Sequence, residues 1–212
     1  MKRIIFLAAL LISLLALSAC AAMQERVDAN AYERIHRQLL GMESFSAQAT
    51  VTFISNNNTH AYETIQHARA DGKYRIEVTA PENVAGNTTV FDGTTISQFN
   101  PRTDGRVLQS AAESPERLEI LLTSFVRNFI RSQEVSITAA IMDDSATTVL
   151  EAQIPGGHPY LATEKLWVDN KTLMPVKMII YDANGTERVI VIFNSFEYNV
   201  DIDDNMFRVD KN

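Results

Sequence analysis

The chain has 212 residues, a formal net charge of −7 and a single cysteine. Its length corresponds to one domain behind a short leader, since domains commonly contain about 100–200 residues. The acidic charge argues against a nucleic-acid-binding protein, because such proteins neutralise phosphates with clustered lysine and arginine side chains.

The first segment has the features of an export signal. An apolar run follows Lys2 and Arg3 and ends at Leu17-Ser18-Ala19-Cys20. A positive start, an apolar middle and small residues at the end are typical of a secretory signal peptide. The run is shorter than the roughly 20 apolar residues of a membrane-spanning helix. A plain secretory signal and an uncleaved anchor are the alternatives to a lipoprotein signal.

The cysteine favours the lipoprotein signal. Leu-Ser-Ala-Cys resembles the lipobox of bacterial lipoproteins, in which the cysteine receives diacylglycerol and becomes the new N-terminus. We therefore predict a signal peptide at residues 1–19, a lipid on Cys20 and a tether at residues 20–28. Each buried CH₂ contributes about 0.8 kcal/mol, so two or three acyl chains hold a protein firmly. The protein is then extracytoplasmic and attached to the cell membrane, or to the outer membrane in a double-membraned organism.

A lipidated Cys20 leaves no free thiol, which excludes disulfide bonds, cysteine-ligated zinc and a cysteine nucleophile. Residues 29–212 are predicted to form a single domain that starts with a helix. Its apolar residues Tyr32, Ile35, Leu39 and Leu40 recur at spacings of three and four, and Gly41 suits the position just after the helix.

Strands dominate the rest of the domain. Apolar and polar residues alternate in 45–53, which places all the apolar side chains on one face of a sheet. Segment 189–193 is apolar on both faces, which is typical of a central strand covered on each side. Turn signals separate further segments. These predict strands at 59–70, 73–80, 88–91, 95–99, 106–109, 135–142, 147–154, 161–169, 174–181 and 186–198.

A second helix interrupts the strands. Ser114 is a good N-cap and Pro115 suits the first helical position, followed by an apolar stripe that includes Phe125 and Phe129. The pattern predicts a helix over 115–131 that packs on the sheet. The C-terminal segment 201–210, with Phe207 and Val209, is predicted to pack back on the rim of the sheet.

Several motifs in this order resemble a known superfamily. They are Phe45-Ser46-Ala47, Gly72-Lys73-Tyr74-Arg75-Ile76-Glu77, Val90-Phe91-Asp92-Gly93, Leu166-Trp167-Val168-Asp169 and Phe196-x-x-Asn199. Together they resemble the LolA/LolB-like superfamily of lipoprotein carriers over nearly the whole mature chain. Segment 121–137 is most similar to the lipid-anchored germination lipoproteins of the GerS type in spore-forming Gram-positive bacteria.

The resemblance implies an α+β fold: a strongly curved antiparallel half-barrel sheet with two helices packed on its concave face. It also implies a non-enzymatic role in which the protein binds acyl chains or docks another protein. The germination type implies a cell-wall amidase as partner, active in spore cortex modification. The carrier type implies a lipid or lipoprotein, and a third group of relatives implies an envelope-stress sensor.

The residues themselves offer no catalytic or metal-binding pattern. The histidines lack the i, i+4 spacing of a metalloprotease, and the aspartate pairs lack the spacing and glycine of a calcium loop. There is no Gly-x-Ser-x-Gly elbow and no glycine-rich phosphate loop. We therefore expect no catalytic residues, no metal and no cofactor besides the lipid on Cys20.

The apolar face of the sheet is the remaining candidate site. It is either a filled core under the helices or the lining of a cavity for acyl chains, and periodicity does not report the difference. The candidate residues are Val51, Phe53, Tyr74, Ile76, Val78, Phe91, Trp167, Val189, Val191 and Phe193.

Overall fold

The structure, a computed structural model, describes residues 27–110 and 119–209. In chain order its elements are α1 (Ala29–Leu40), β1 (Ser44–Ile54), β2 (Thr59–Arg69), β3 (Tyr74–Ala80), β4 (Thr88–Phe91), β5 (Thr95–Asn100), β6 (Gly105–Ser110), α2 (Leu122–Arg131), β7 (Val135–Met142), β8 (Ser145–His158), β9 (Leu161–Asp169), β10 (Pro175–Tyr181) and β11 (Glu187–Tyr198).

All the strands in the described residues belong to one antiparallel sheet of 11 strands, in the order β6-β5-β4-β3-β2-β1-β11-β10-β9-β8-β7. Neighbours in this order are also neighbours in the chain, except where β1 pairs with β11 and joins the two halves. The sheet is a strongly curved half-barrel that does not close, so β6 and β7 are its edges. This confirms the predicted fold class.

Helix α1 follows the predicted pattern. The side chain of Asp28 accepts hydrogen bonds from the backbone N–H groups of Asn30 and Ala31, which caps the first turn. The helix buries Ile35 and Leu39, and Gly41 caps its C-terminal end. Leu40 is 50% exposed, so its predicted place on the buried face is wrong. The polar residues between the apolar ones remain on the solvent side.

Helix α2 is shorter than predicted. It begins at Leu122, whereas the pattern predicted a start at Pro115. Ser114 and Pro115 lie outside the described residues. Leu121 has an extended backbone with φ −95° and ψ 136° and is buried, so the chain turns before the helix begins. Glu119, in the turn, has its side chain in the interior, where it is 3% exposed.

The prediction of a central strand near the C-terminus is confirmed, because β11 lies between β1 and β10. Val189, Val191 and Phe193 face the helices, whereas Ile192 on the opposite face is exposed. The expectation that both faces of this strand are covered is therefore wrong. We call the face that carries Val51, Ile76 and Val191 the inner face, and its opposite the outer face.

The C-terminal segment packs on the outer face. A short 3₁₀ helix, Asp204–Phe207, buries the ring of Phe207 beneath the guanidinium of Arg69. Arg69 also forms ion pairs with Asp71, at 2.6 Å, and with Asp204. These contacts attach the end of the chain to the outer side of β2 and β3.

One turn is built around a buried carboxylate. Asp182, between β10 and β11, accepts hydrogen bonds from the N–H groups of Asn184 at 2.8 Å and Thr186 at 2.9 Å. The guanidinium of Arg188 contacts the same carboxylate at 2.7 Å. The N–H of Thr186 and the charge of Arg188 lower the pKa of Asp182. The carboxylate therefore accepts hydrogen bonds from backbone N–H groups in the turn and holds the turn closed.

Candidate functional site

The two helices cover the inner face with their own side chains. Ile35 of α1 and Phe125 of α2 are fully buried, and they belong to one continuous cluster with Val51, Ile76 and Val191 of the sheet. Within α2, the rings of Phe125 and Phe129 are stacked with their centroids 5.8 Å apart. Side chains of both helices therefore occupy the space directly above the centre of this face.

The candidate residues predicted from the sequence fall into three groups. Most belong to the buried cluster or pack against it: Val51, Tyr74, Ile76, Phe91, Val189, Val191 and Phe193. Phe53 and Val78 share the inner face by alternation but lie near strand ends, and Phe53 is 41% exposed. Trp167 forms the third group by itself, because it lies on the other face of the sheet.

Trp167 lies on the outer face, which corrects its assignment to the inner one. In β9 the buried positions are Glu164, Leu166 and Val168, so Trp167 alternates to the other side. There the ammonium group of Lys177 lies 4.3 Å from the centre of its ring. The run Leu166-Trp167-Val168 is apolar throughout, and a pattern of period two therefore does not reveal which residue faces inward.

The structure also places two carboxyl groups in the interior that the sequence analysis missed. Glu119 is 3% exposed and Glu164 is fully buried. The side-chain amide of Asn128, on α2, donates to both of them at 2.9 Å. One oxygen of each carboxyl group has no hydrogen-bond partner. Glu164 shares its alternation with Leu166 and Val168, and this signal was available in the sequence.

Burial determines the protonation of this cluster. Removal from water raises the pKa of Glu164 to about 8, and the nearby charge of Glu119 adds to the effect, although the Asn128 amide opposes it. At neutral pH the Glu164 carboxyl is therefore mostly protonated. It links β9 through Asn128 to the segment that leads into α2.

A pocket of about 600 Å³ lies at the rim of the sheet, between the C-terminal end of α2 and the β8–β9 hairpin. We call it the rim pocket. Its lining includes Asn128, Arg131, Gln133, Gln153 and His158. Strand β8 bulges between Gln153 and His158, and Gly156 and Gly157 both have positive φ there. The bulge forms one wall of a pocket that is lined by several polar side chains.

The described residues offer neither a metal-binding cluster nor a membrane-spanning helix. Residues 27–110 and 119–209 contain no cluster of histidine, cysteine or acidic residues suited to hold a metal ion. No helix within these ranges is both long and apolar enough to span a membrane. The signal peptide and Cys20 lie outside the described part of the chain.

A solved structure with a TM-score above 0.5 shares this fold. A conserved protein of uncharacterised function from Thermus thermophilus superposes with a TM-score of 0.53 at 12% identity, covering 88% of this chain and 96% of that one. The LolA superfamily protein NE2245 from Nitrosomonas europaea gives a TM-score of 0.46 at 14% identity, covering 85% and 96%.

A chain of the complex between the CwlD amidase and the GerS lipoprotein of Clostridioides difficile gives a TM-score of 0.49 at 26% identity. The match covers 84% of this chain and 100% of that one. A search of curated protein sequences finds no match. The sequence does match the sporulation protein YdcC-like family over residues 1–207. Because this match spans almost the whole chain, the protein belongs to the sporulation protein YdcC-like family.

Proposed function

We propose that this protein is a lipid-anchored, extracytoplasmic docking protein that acts in sporulation without catalysing a reaction. Membership of the sporulation protein YdcC-like family supports a role in sporulation. The lipobox-like Leu17-Ser18-Ala19-Cys20 supports the anchor. A protein that remains attached to its membrane is suited to receive or hold a partner, whereas a shuttle has to leave it.

The observation that carries the docking role is the filled inner face. In a carrier, acyl chains need a space lined by apolar side chains. Here Ile35 and Phe125 are fully buried in one cluster with Val51 and Val191, so the protein's own helices take the position that an acyl chain requires. Binding a lipid there requires the helices to move away from the sheet.

The rim pocket does not support the lipid-binding alternative. Its volume of about 600 Å³ suits a small ligand, but Arg131, Gln133, Gln153 and His158 contribute polar groups to its lining. An acyl chain placed among these side chains leaves their donors and acceptors without partners. Such burial of unpaired polar groups is unfavourable.

The sequence resembles the germination lipoproteins, and this resemblance implies a cell-wall amidase as the partner. We include this class of partner in the proposal. The GerS lipoprotein is itself found in a complex with the CwlD amidase. In this proposal the chain binds the amidase of its own organism on the outer side of the membrane. The chemistry of the cell wall is then performed by the amidase.

Two binding measurements on the Cys20→Ser chain in mild detergent test the proposal. Serum albumin is the positive control for a fluorescent fatty-acid probe, and we expect this chain not to saturate with the probe. We expect it to bind the sporulation cell-wall amidase of the same organism on a biosensor surface. Saturable probe binding without amidase binding contradicts the docking role and favours the carrier role.

A further inference from the structure

The two edges of the open sheet differ in how they are protected. Exposed edge strands attract other strands, and natural proteins oppose this with charged side chains, proline or bulges. Edge strand β6 carries Arg106, whose guanidinium lies 5.0 Å from the ring centre of Phe99 and donates to Ser97 at 3.1 Å. Edge strand β7, Val135–Met142, contains no charged residue, proline or glycine.

Strand β7 also exposes large apolar side chains. Val135 is 46% exposed and Ile141 is 61% exposed. Both lie on the inner face, because Ile137 between them pairs with the buried Leu150 of β8. Within the described ranges β7 pairs only with β8, so the backbone groups on its other side have no strand partner.

We propose that β7 pairs with β7 of a second copy of the chain, antiparallel, about a two-fold axis at Thr138. Residues directly opposite in an antiparallel pair lie on the same face. With the axis at Thr138, Val135 of one copy lies opposite Ile141 of the other, and Ile137 lies opposite Ala139. This register covers both exposed apolar side chains and continues one sheet through two molecules.

A second copy fits this edge for reasons of symmetry and charge. The pairing of β7 with itself is closed, since each copy uses the same edge strand. Pairing of β7 with β6 of a neighbour leaves free edges at both ends and generates an open fibre. Because β7 has no charged side chain, no like charges meet across the axis. The inference is independent of the proposed docking role.

The oligomeric state of the Cys20→Ser chain in mild detergent, measured by sedimentation velocity over a range of concentrations, tests the proposal. We expect a monomer–dimer equilibrium. Ile141→Lys should weaken the dimer about tenfold, because symmetry counts each lost cross-strand pair twice. Val107→Lys is the matched control on β6, where Val107 is 55% exposed, and it should leave the dimer unchanged.

A cross-linking experiment tests the register and remains informative if Ile141→Lys folds poorly. In the Cys20→Ser background, Thr138→Cys faces its equivalent across the axis, within the range of a disulfide bond. Ala139→Cys is separated from its equivalent by about 7–8 Å and should cross-link far less. A monomer at all concentrations, an assembly that keeps growing, or a dimer weakened only by Val107→Lys each overturns the proposal.

Discussion

Replacement of Glu164 by glutamine should remove a strong pH dependence from the stability of the domain. In the folded protein the pKa of Glu164 is about 8, whereas the ordinary value is 4.5. Between these values the native state holds a proton that the unfolded chain has released. The free energy of unfolding therefore falls as the pH rises through this range, and the contribution is constant above it.

The size of the effect follows from the shift in pKa. One pKa unit corresponds to 1.36 kcal/mol. A shift from 4.5 to about 8 therefore destabilises the folded protein by about 5 kcal/mol at alkaline pH. This is a large share of the roughly 5–15 kcal/mol by which domains are stable.

Glu164→Gln keeps an oxygen that accepts from the Asn128 amide, and it is neutral at every pH. We expect the variant and the wild type to have similar stability near pH 5. At about pH 9 the variant should be more stable by several kcal/mol. Urea unfolding followed by circular dichroism at both pH values measures the difference.

The matched control is Glu151→Gln on the neighbouring strand β8. Glu151 is partly exposed and forms an ion pair with Lys165 at 3.3 Å. Loss of this ion pair in Glu151→Gln should change the free energy of unfolding by less than about 1 kcal/mol, as is usual for surface ion pairs. Equal pH profiles for the wild type and Glu164→Gln would refute the reasoning, because they would mean that Glu164 is charged in the folded protein.

Three further predictions concern the inner face, one turn and the anchor. Phe125→Ala should destabilise the domain by about 3–5 kcal/mol in urea unfolding. Ile130→Ala, 57% exposed on the same helix, should change it by less than about 0.5 kcal/mol; equal effects contradict a filled inner face. Since the folded pKa of Asp182 is lowered, Asp182→Asn should reduce stability at neutral pH, and the difference should disappear in acid, where the wild-type carboxyl is also protonated. A loss that is the same at every pH points to another cause. Cys20→Ala should abolish metabolic labelling with an alkyne-tagged fatty acid, and continued labelling argues against the lipobox.

Local patterns in the sequence were sufficient to predict most of the helices and strands. The alternation in 45–53 and the helical spacing of Tyr32, Ile35 and Leu39 each report a single buried face, because period two and period 3.6 are local properties of the backbone. Turns such as Asp71-Gly72 separate strands that are neighbours in the chain. Because nearly all neighbours in the sheet are also neighbours in the chain, these local signals were enough to predict an antiparallel sheet.

Other features depend on residues that are far apart in the chain. The pairing of β1 with β11 joins segments from opposite ends of the domain, and the buried carboxyl group of Glu164 meets the amide of Asn128, which lies 36 residues earlier in the chain. The inward-facing residue in Leu166-Trp167-Val168 depends on where the helices pack, since all three side chains are apolar.

The filling of the inner face was also decided by tertiary structure. Periodicity in the sequence indicates that an apolar face exists and that two apolar helices are available to cover it. It did not determine whether space remains between them, because free volume is set by how side chains from distant segments interlock. The burial of Ile35 and Phe125 in one cluster with Val51 and Val191 supplies that information. It is a property of the packed molecule and of no single segment.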